Sequence, residues 1–216
     1  MLGKRDYLQS SRCIVLVGVF CVIEVCYQQR GGAWFGAAMK DNQVVATCFS
    51  VGEPDLGRLL ERLPEGAEYQ IVEEPDQNMV EVLDLLEKIF GGEIDEPCEV
   101  KLESSGRSEY GKRVLWCTGL VPVGYVTSYG SISKVVGGSA RAVGRVEASN
   151  VVPLLVPCHR VVKSDLSLGG YGYGKKVKME ILEREKRGYK EPKVLDVNGR
   201  ELLLFPVEWV KPHGEL

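Results

Sequence analysis

Short apolar runs of β-branched and aromatic residues crowd the first fifty positions of this chain. Residues 13–26 (CIVLVGVFCVIEVC) and 33–39 (AWFGAAM) are rich in β-branched and aromatic side chains and flank Gly31-Gly32, which predicts two strands joined by a turn. VVATCFSV (44–51) predicts a third. The apolar spacing then becomes that of a helix. EPDLGRLLERL (53–63) predicts a helix opening near Pro54. DQNMVEVLDLLEKIFGG (76–92) sets Met79, Leu83, Leu86 and Phe90 on one stripe before a Gly-Gly stop. Together these predict a small α/β unit ending near residue 98.

The second half is patterned differently. EVKLESSGRSEYG (99–111) is polar and reads as a linker, and GKRVLWCTGLV (111–121) as a helix. Segments 131–136 and 140–148, joined by Gly137-Gly138 with Ser139 as the cap of the second, have helix-turn-helix spacing. In the second of these, Val143 and Val146 pack inward, while Arg141, Arg145 and Ala148, with Ala142 beside them, form an outward face. A glycine-rich loop, LGGYGYG (168–174), precedes a helix over 175–188. The tail from 191 predicts a β-hairpin around Asn198-Gly199. The expected fold class is α+β: an α/β unit over 1–98, a mainly helical unit over 99–190, and an extension over 191–216.

Composition narrows the partners. Hydrophobic content of 44% and charged content of 26% are those of a soluble globular protein. The most apolar stretch, residues 13–26, is too short to span a bilayer and has no signal-peptide cleavage pattern, so a cytoplasmic location is expected. The seven cysteines form no Cys-x-x-Cys pair and only two histidines exist, so no metal and no disulfide framework are expected; a Cys21–Cys26 bond stays open. Net charge is −3, yet residues 1–100 carry 8 basic and 18 acidic side chains, and residues 101–190 carry 16 and 7. A basic second half suits a polyanion; attraction between two oppositely charged halves is the alternative.

The chemistry centres on VPCHRVV (156–162). A cysteine after an apolar run is, by itself, more often a buried hydrophobe than a nucleophile. Pro157 argues against an uninterrupted strand, and a turn there would let Cys158 and His159 face a common space, with a bridging water as proton relay. On the 175–188 helix, Glu185 shares the apolar stripe of Val177 and Ile181, and a carboxylate there needs a partner: the imidazole or a nearby arginine. GGYGYG lacks the features of a phosphate loop; its glycines and Tyr171 and Tyr173 suit either a wall against a flat ligand or a plain flexible loop.

Together, VPCHRVV, the upstream ARAVG and SN and the glycine-tyrosine loop resemble the O6-alkylguanine-DNA alkyltransferases (methylated-DNA–protein-cysteine methyltransferases), closely over about residues 107–188 and loosely before 98. The resemblance implies a ribonuclease-H-like first unit and irreversible, single-turnover transfer of an alkyl group from O6 of a flipped guanine to Cys158, with O4-alkylthymine as a minor substrate. It implies that His159 deprotonates Cys158 through water, Glu185 holds the imidazole and Asn150 stabilises the turn. Arg141 would fill the space left by the flipped nucleotide, and Tyr129 would crowd the phosphate and donate to the base. Ser139, Ala142 and Arg145 would lie along the DNA, Val161 would offer its carbonyl to the base, and Gly169, Tyr171 and Gly172 would wall it. The implied partner is duplex DNA at its minor groove, met by a monomer without cofactor, metal or membrane. The chain departs from the family pattern at Arg145, Glu147, Ala148 and Gly172, where glycine, methionine, arginine and a small hydroxyl residue are usual. A DNA-binding module without catalysis and a cysteine hydrolase are the competing classes.

Overall fold

The computed structural model describes residues 22–93, 100–103 and 106–211, so most of the apolar segment 13–26, including Cys13 and Cys21, lies outside the described residues. Cys26 is a free, buried thiol. Among the described residues no helix is long and apolar enough to cross a membrane.

Three strands, β1 (Ile23–Arg30), β2 (Ala33–Lys40) and β3 (Gln43–Val51), form an antiparallel meander. Gly31 and Gly32, both at positive φ, make the first turn, where a left-handed backbone favours glycine. A short helix α1 (Leu56–Leu60) follows, within the predicted 53–63. It opens later than Pro54 because the Asp55 carboxylate caps the Arg58 amide, and it closes early in three-residue turns ahead of Pro64. A three-residue strand β4 (Tyr69–Ile71) then joins β1 in parallel, giving the order β3-β2-β1-β4. Helix α2 (Gln77–Gly91) is capped by Asp76, stops at left-handed Gly92 and buries Met79, Leu83, Leu86 and Phe90 as its stripe predicts.

Helix α3 (Glu109–Gly119) begins two residues before the predicted start, since the Ser108 hydroxyl accepts from the Gly111 amide. Strand β5 (Tyr125–Ser128) leads into α4 (Tyr129–Val136), whose cap is Ser128, and α5 (Ala140–Ala148) occupies the predicted range with Ser139 at its cap. A 3-10 turn at Cys158–Arg160 feeds the two-residue strand β6 (Val161–Val162). Helix α6 (Lys175–Arg184) ends four residues before the predicted 188, because the Arg187 and Gly188 amides bond to the Glu208 carboxylate instead of to helix carbonyls.

The tail corrects the expectation of a mainly helical unit with a separate extension. Strands β7 (Lys193–Val197) and β8 (Arg200–Pro206) form the predicted hairpin, with Asn198 and Gly199 both at positive φ. Strand β8 pairs with β5, so the hairpin completes a second four-stranded sheet of order β6-β5-β8-β7. Val197, Leu202 and Leu204 of the hairpin share one apolar cluster with Val114 of α3, Ile132 of α4 and Val143 of α5. The halves also share a core. Phe35, Phe49 and Phe90 pack in one cluster with Leu115, Leu154, Val156 and Ile181.

Candidate active site

The geometry around Cys158 begins with Asn150, two residues past the end of α5. Its Oδ1 accepts from the Val152 amide at 3.0 Å, while its Nδ2 donates to the Val156 carbonyl at 3.0 Å and reaches the Cys158 sulfur at 3.3 Å. One side chain therefore folds the approach to the turn and touches the sulfur. Cys158, His159 and Arg160 are all buried in the 3-10 turn, which has about three residues per turn, so successive side chains diverge by roughly a third of a circle rather than onto opposite faces.

His159 and Glu185 are fully buried, and the imidazole Nε2 lies 2.9 Å from Glu185 Oε1. Both partners left open for Glu185 are present. Arg160 donates through Nε to both carboxylate oxygens at 3.1 and 3.0 Å and through Nη2 to Oε1 at 2.7 Å, and its Nη1 donates to the Val121 carbonyl at 2.8 Å. Burial alone would raise the Glu185 carboxyl, but His159 and Arg160 overcome it and hold it at about 2. Burial pushes His159 below its ordinary value. The imidazole is thus neutral, with its proton on Nε2 facing the carboxylate, while Nδ1 is buried and bonded to no protein group. Nδ1 is the lone pair available to a proton from the Cys158 side. The thiol itself is pushed up to about 11, first by burial and then by the charge of Glu147, with the Asn150 bond opposing. It rests as a thiol that needs a base.

Sequence reasoning missed Lys178. Fully buried on α6, it donates to the Val161 and Leu168 carbonyls, each at 2.6 Å, and lies 3.4 Å from that of Gly170. It ties the strand after the cysteine to the start of the glycine loop, and burial lowers it to about 8. The Val161 carbonyl expected to face the base already accepts this bond. The signal was the spacing Lys178, Ile181, Leu182, Glu185, one buried stripe within a highly charged helix.

Tyr129, the first residue of α4, is half-buried against Gly169, whose added Cβ would come within 3.1 Å of its ring and hydroxyl. Gly169 is at positive φ. Tyr171 stands edge-on to the imidazole, ring centres 6.5 Å apart, with a buried hydroxyl bonded to no protein group. Gly172 is exposed. Tyr173 stacks on Phe49 of β3 at 3.9 Å and carries Arg58 and Arg62 of the α1 region near its ring, Arg62 donating to its hydroxyl at 2.8 Å. The loop is therefore anchored at Tyr173 to the first half of the chain. On α5, Arg141, Arg145 and Ala148 are exposed, Ala142 is half-buried with its amide bonded to Ser139 Oγ at 3.2 Å, and Val143 points inward. Val146 is only half-buried; Glu147 takes the inward position instead.

A turn presenting a thiol beside a neutral, oriented imidazole, next to a helix-turn-helix with a basic outer face, is matched among known proteins. Residues 109–187 match the family described as 6-O-methylguanine DNA methyltransferase, DNA binding domain. A methylated-DNA–protein-cysteine methyltransferase of Pyrobaculum aerophilum is 49% identical over 84 residues, 39% of this chain and 56% of that relative, so the alignment spans little more than half of its length. The protein of the same name from Methanocaldococcus jannaschii is 33% identical over 158 residues, covering 71% of this chain and 88% of its own length. The crystal structure of Mycobacterium tuberculosis OGT in complex with DNA aligns with a TM-score of 0.59 and 27% identity over 76% of this chain and 92% of the other.

Proposed function

Because this chain belongs to the methylated-DNA–protein-cysteine methyltransferases, we propose that it repairs DNA by moving the alkyl group from O6 of guanine onto Cys158, once per molecule. The observation that carries this reading is the His159–Glu185–Arg160 network, which leaves one imidazole lone pair for the thiol. His159 Nδ1 draws the thiol proton through a bridging water, and the sulfur attacks the alkyl carbon in line. The carbon–oxygen bond breaks, its electron pair stays on the base, and the base takes up a proton and returns as guanine. Burial holds the Tyr129 phenol at about 12, so it stays protonated and suited to donate to the leaving base.

The substrate base leaves the duplex to reach this buried sulfur. Helix α5 docks in the minor groove, Arg141 entering the stack while Ser139, Ala142 and Arg145 follow the backbone. Tyr171, Gly169 and Gly172 wall the base. O4-alkylthymine as a minor substrate, a monomeric state, a cytoplasmic setting and independence from metal and cofactor belong to the same reading. The strand order β3-β2-β1-β4, with β1 and β4 parallel, supports a ribonuclease-H-like unit over 1–98, followed by a DNA-binding and acceptor unit over 99–190 and an extension over 191–216 that carries the β7–β8 hairpin.

Intact mass after incubation with a duplex carrying one O6-methylguanine tests it. A stoichiometric gain of one methylene equivalent on Cys158, absent from Cys158→Ala, is expected. Tight binding without a mass change would favour a non-catalytic module, and repeated ester or peptide turnover a hydrolase.

A further inference from the structure

Glu147 is a carboxylate in a position where α5 should be apolar. It lies on the inward face of the helix, 92% buried, and is followed within one turn by the residue that touches the acceptor: the Asn150 amide donates to the Glu147 carbonyl at 3.2 Å, and the Asn150 side chain reaches Cys158. Its Oε1 lies 2.5 Å from the Thr118 hydroxyl of α3, and that hydroxyl lies 3.0 Å from the Val114 carbonyl. Its Oε2 is buried and bonded to no protein group. A hydroxyl has one hydrogen. If Glu147 is ionised, the carboxylate and the carbonyl compete for it, and one close contact is left without a proton. If Glu147 is protonated, it donates to Thr118, Thr118 donates to Val114, and both contacts are hydrogen bonds. The geometry satisfies the neutral acid.

On this basis, and resting on the alkyl-transfer reading above, we propose that Glu147 is a positioning residue that governs the acceptor electrostatically: neutral, it leaves Cys158 free to lose its proton, and ionised, it holds the thiol in its unreactive form. The groups facing it are Cys117 and Thr118 on α3, Tyr129 on α4, Cys158 on the turn and Lys178 on α6. Lys178 is the sole cation of this set, and it opposes the burial that raises the acid. Burial pushes Glu147 up to about 7, so its charge changes near neutrality. Its charge in turn raises Cys158, Cys117 and Tyr129. A carboxylate acting in this way bends the pH profile against the usual direction for a thiol. Above neutrality, where hydroxide should help, the newly formed charge takes back part of the gain.

The experiment measures the single-turnover rate of methyl transfer from an O6-methylguanine duplex between pH 5.5 and 8.5 for the full chain and for Glu147→Gln. The ratio of variant to parent rate is expected to be near one at the acid end and to climb about tenfold through neutrality, one pKa unit of thiol acidity being a tenfold change. Glu147→Met, which carries the family's usual residue at this position, is the second variant should the glutamine fail to fold, and it is expected to give the same rising ratio. A ratio constant with pH in whichever variant folds, or a failure of both to fold, overturns the assignment of an electrostatic role, while methylation of Cys158 in the parent chain still upholds the repair reading. No methylation of the parent at any pH overturns both.

Discussion

His159 has an anionic neighbour that is already neutralised. The Glu185 carboxylate takes three bonds from Arg160 and one from the imidazole, so when the imidazole gains a proton the new charge meets a carboxylate that is fixed in place and still ionised. The arrangement stabilises the fold as well. Held at about 2 against an ordinary 4.5, Glu185 contributes about 3 kcal/mol near neutrality. Because its folded value is depressed, that contribution is complete above the ordinary carboxylate range and is lost as pH falls towards 2. Glu185→Gln should cost about 3 kcal/mol in denaturant melts at neutral pH and should slow methyl transfer by about a hundredfold, measured with the variant still folded at low temperature. At this scale the sequence carried much of the site. Cys158 and His159 are legible from their place beside Pro157, Glu185 from the apolar stripe it shares, with the imidazole and an arginine both open as its partner, and Asn150 from the family resemblance alone. Glu147 is not legible, because a glutamate among RAVGRVEA reads as a solvated charge, and Lys178 shows only in its spacing with Ile181, Leu182 and Glu185; the packing of α3 and β6 against those helices buries both.

Among the elements, the bounds of α5 agree with the sequence because Ser139 caps its start, although its inward face holds Glu147 where Val146 is expected. Helices α1 and α6 are shorter than the apolar pattern predicts, α1 because Asp55 caps it late and three-residue turns close it, α6 because Glu208 takes the amides beyond its end. The missed strand β5 is buried on both faces and so shows no alternation. What the tail hairpin does for the helix-turn-helix was not legible either. The Ser131 hydroxyl of α4 accepts from the Leu203 amide at 2.8 Å, and Arg200 donates to the Val135 carbonyl at 2.8 Å near the end of the same helix. Helix α5 thus presents Arg141 from a braced support. Arg141→Ala is expected to reduce repair of a duplex by tenfold or more while leaving reaction with free O6-benzylguanine within about twofold, an intercalating side chain being worth a few kcal/mol to flipping alone. Equal losses on both substrates would remove Arg141 from the flipping step.

At the scale of the whole molecule, the boundary expected near residue 98 does not divide the interior. Phe35 and Phe90 from one side share a core with Leu154, Val156 and Ile181 from the other, and the hairpin closes a second core around Val143. A chain ended after residue 190 would expose β5 and the apolar faces of α3 and α4, so it should lose the cooperative thermal transition of the full chain when followed by circular dichroism. Partial retention of that transition would make the tail an appendage after all. The charge asymmetry suits a polyanion on the second half, while the halves meet through Arg58 and Arg62 of the first half, which lie over a tyrosine of the second half's loop. In this contact Tyr173 is held between a phenyl ring and two guanidinium groups before any base arrives. A wall immobilised during folding has already given up its rotamer freedom, so base capture need not supply that entropy again. The first half thereby preorganises the loop that follows Cys158 from outside the turn itself.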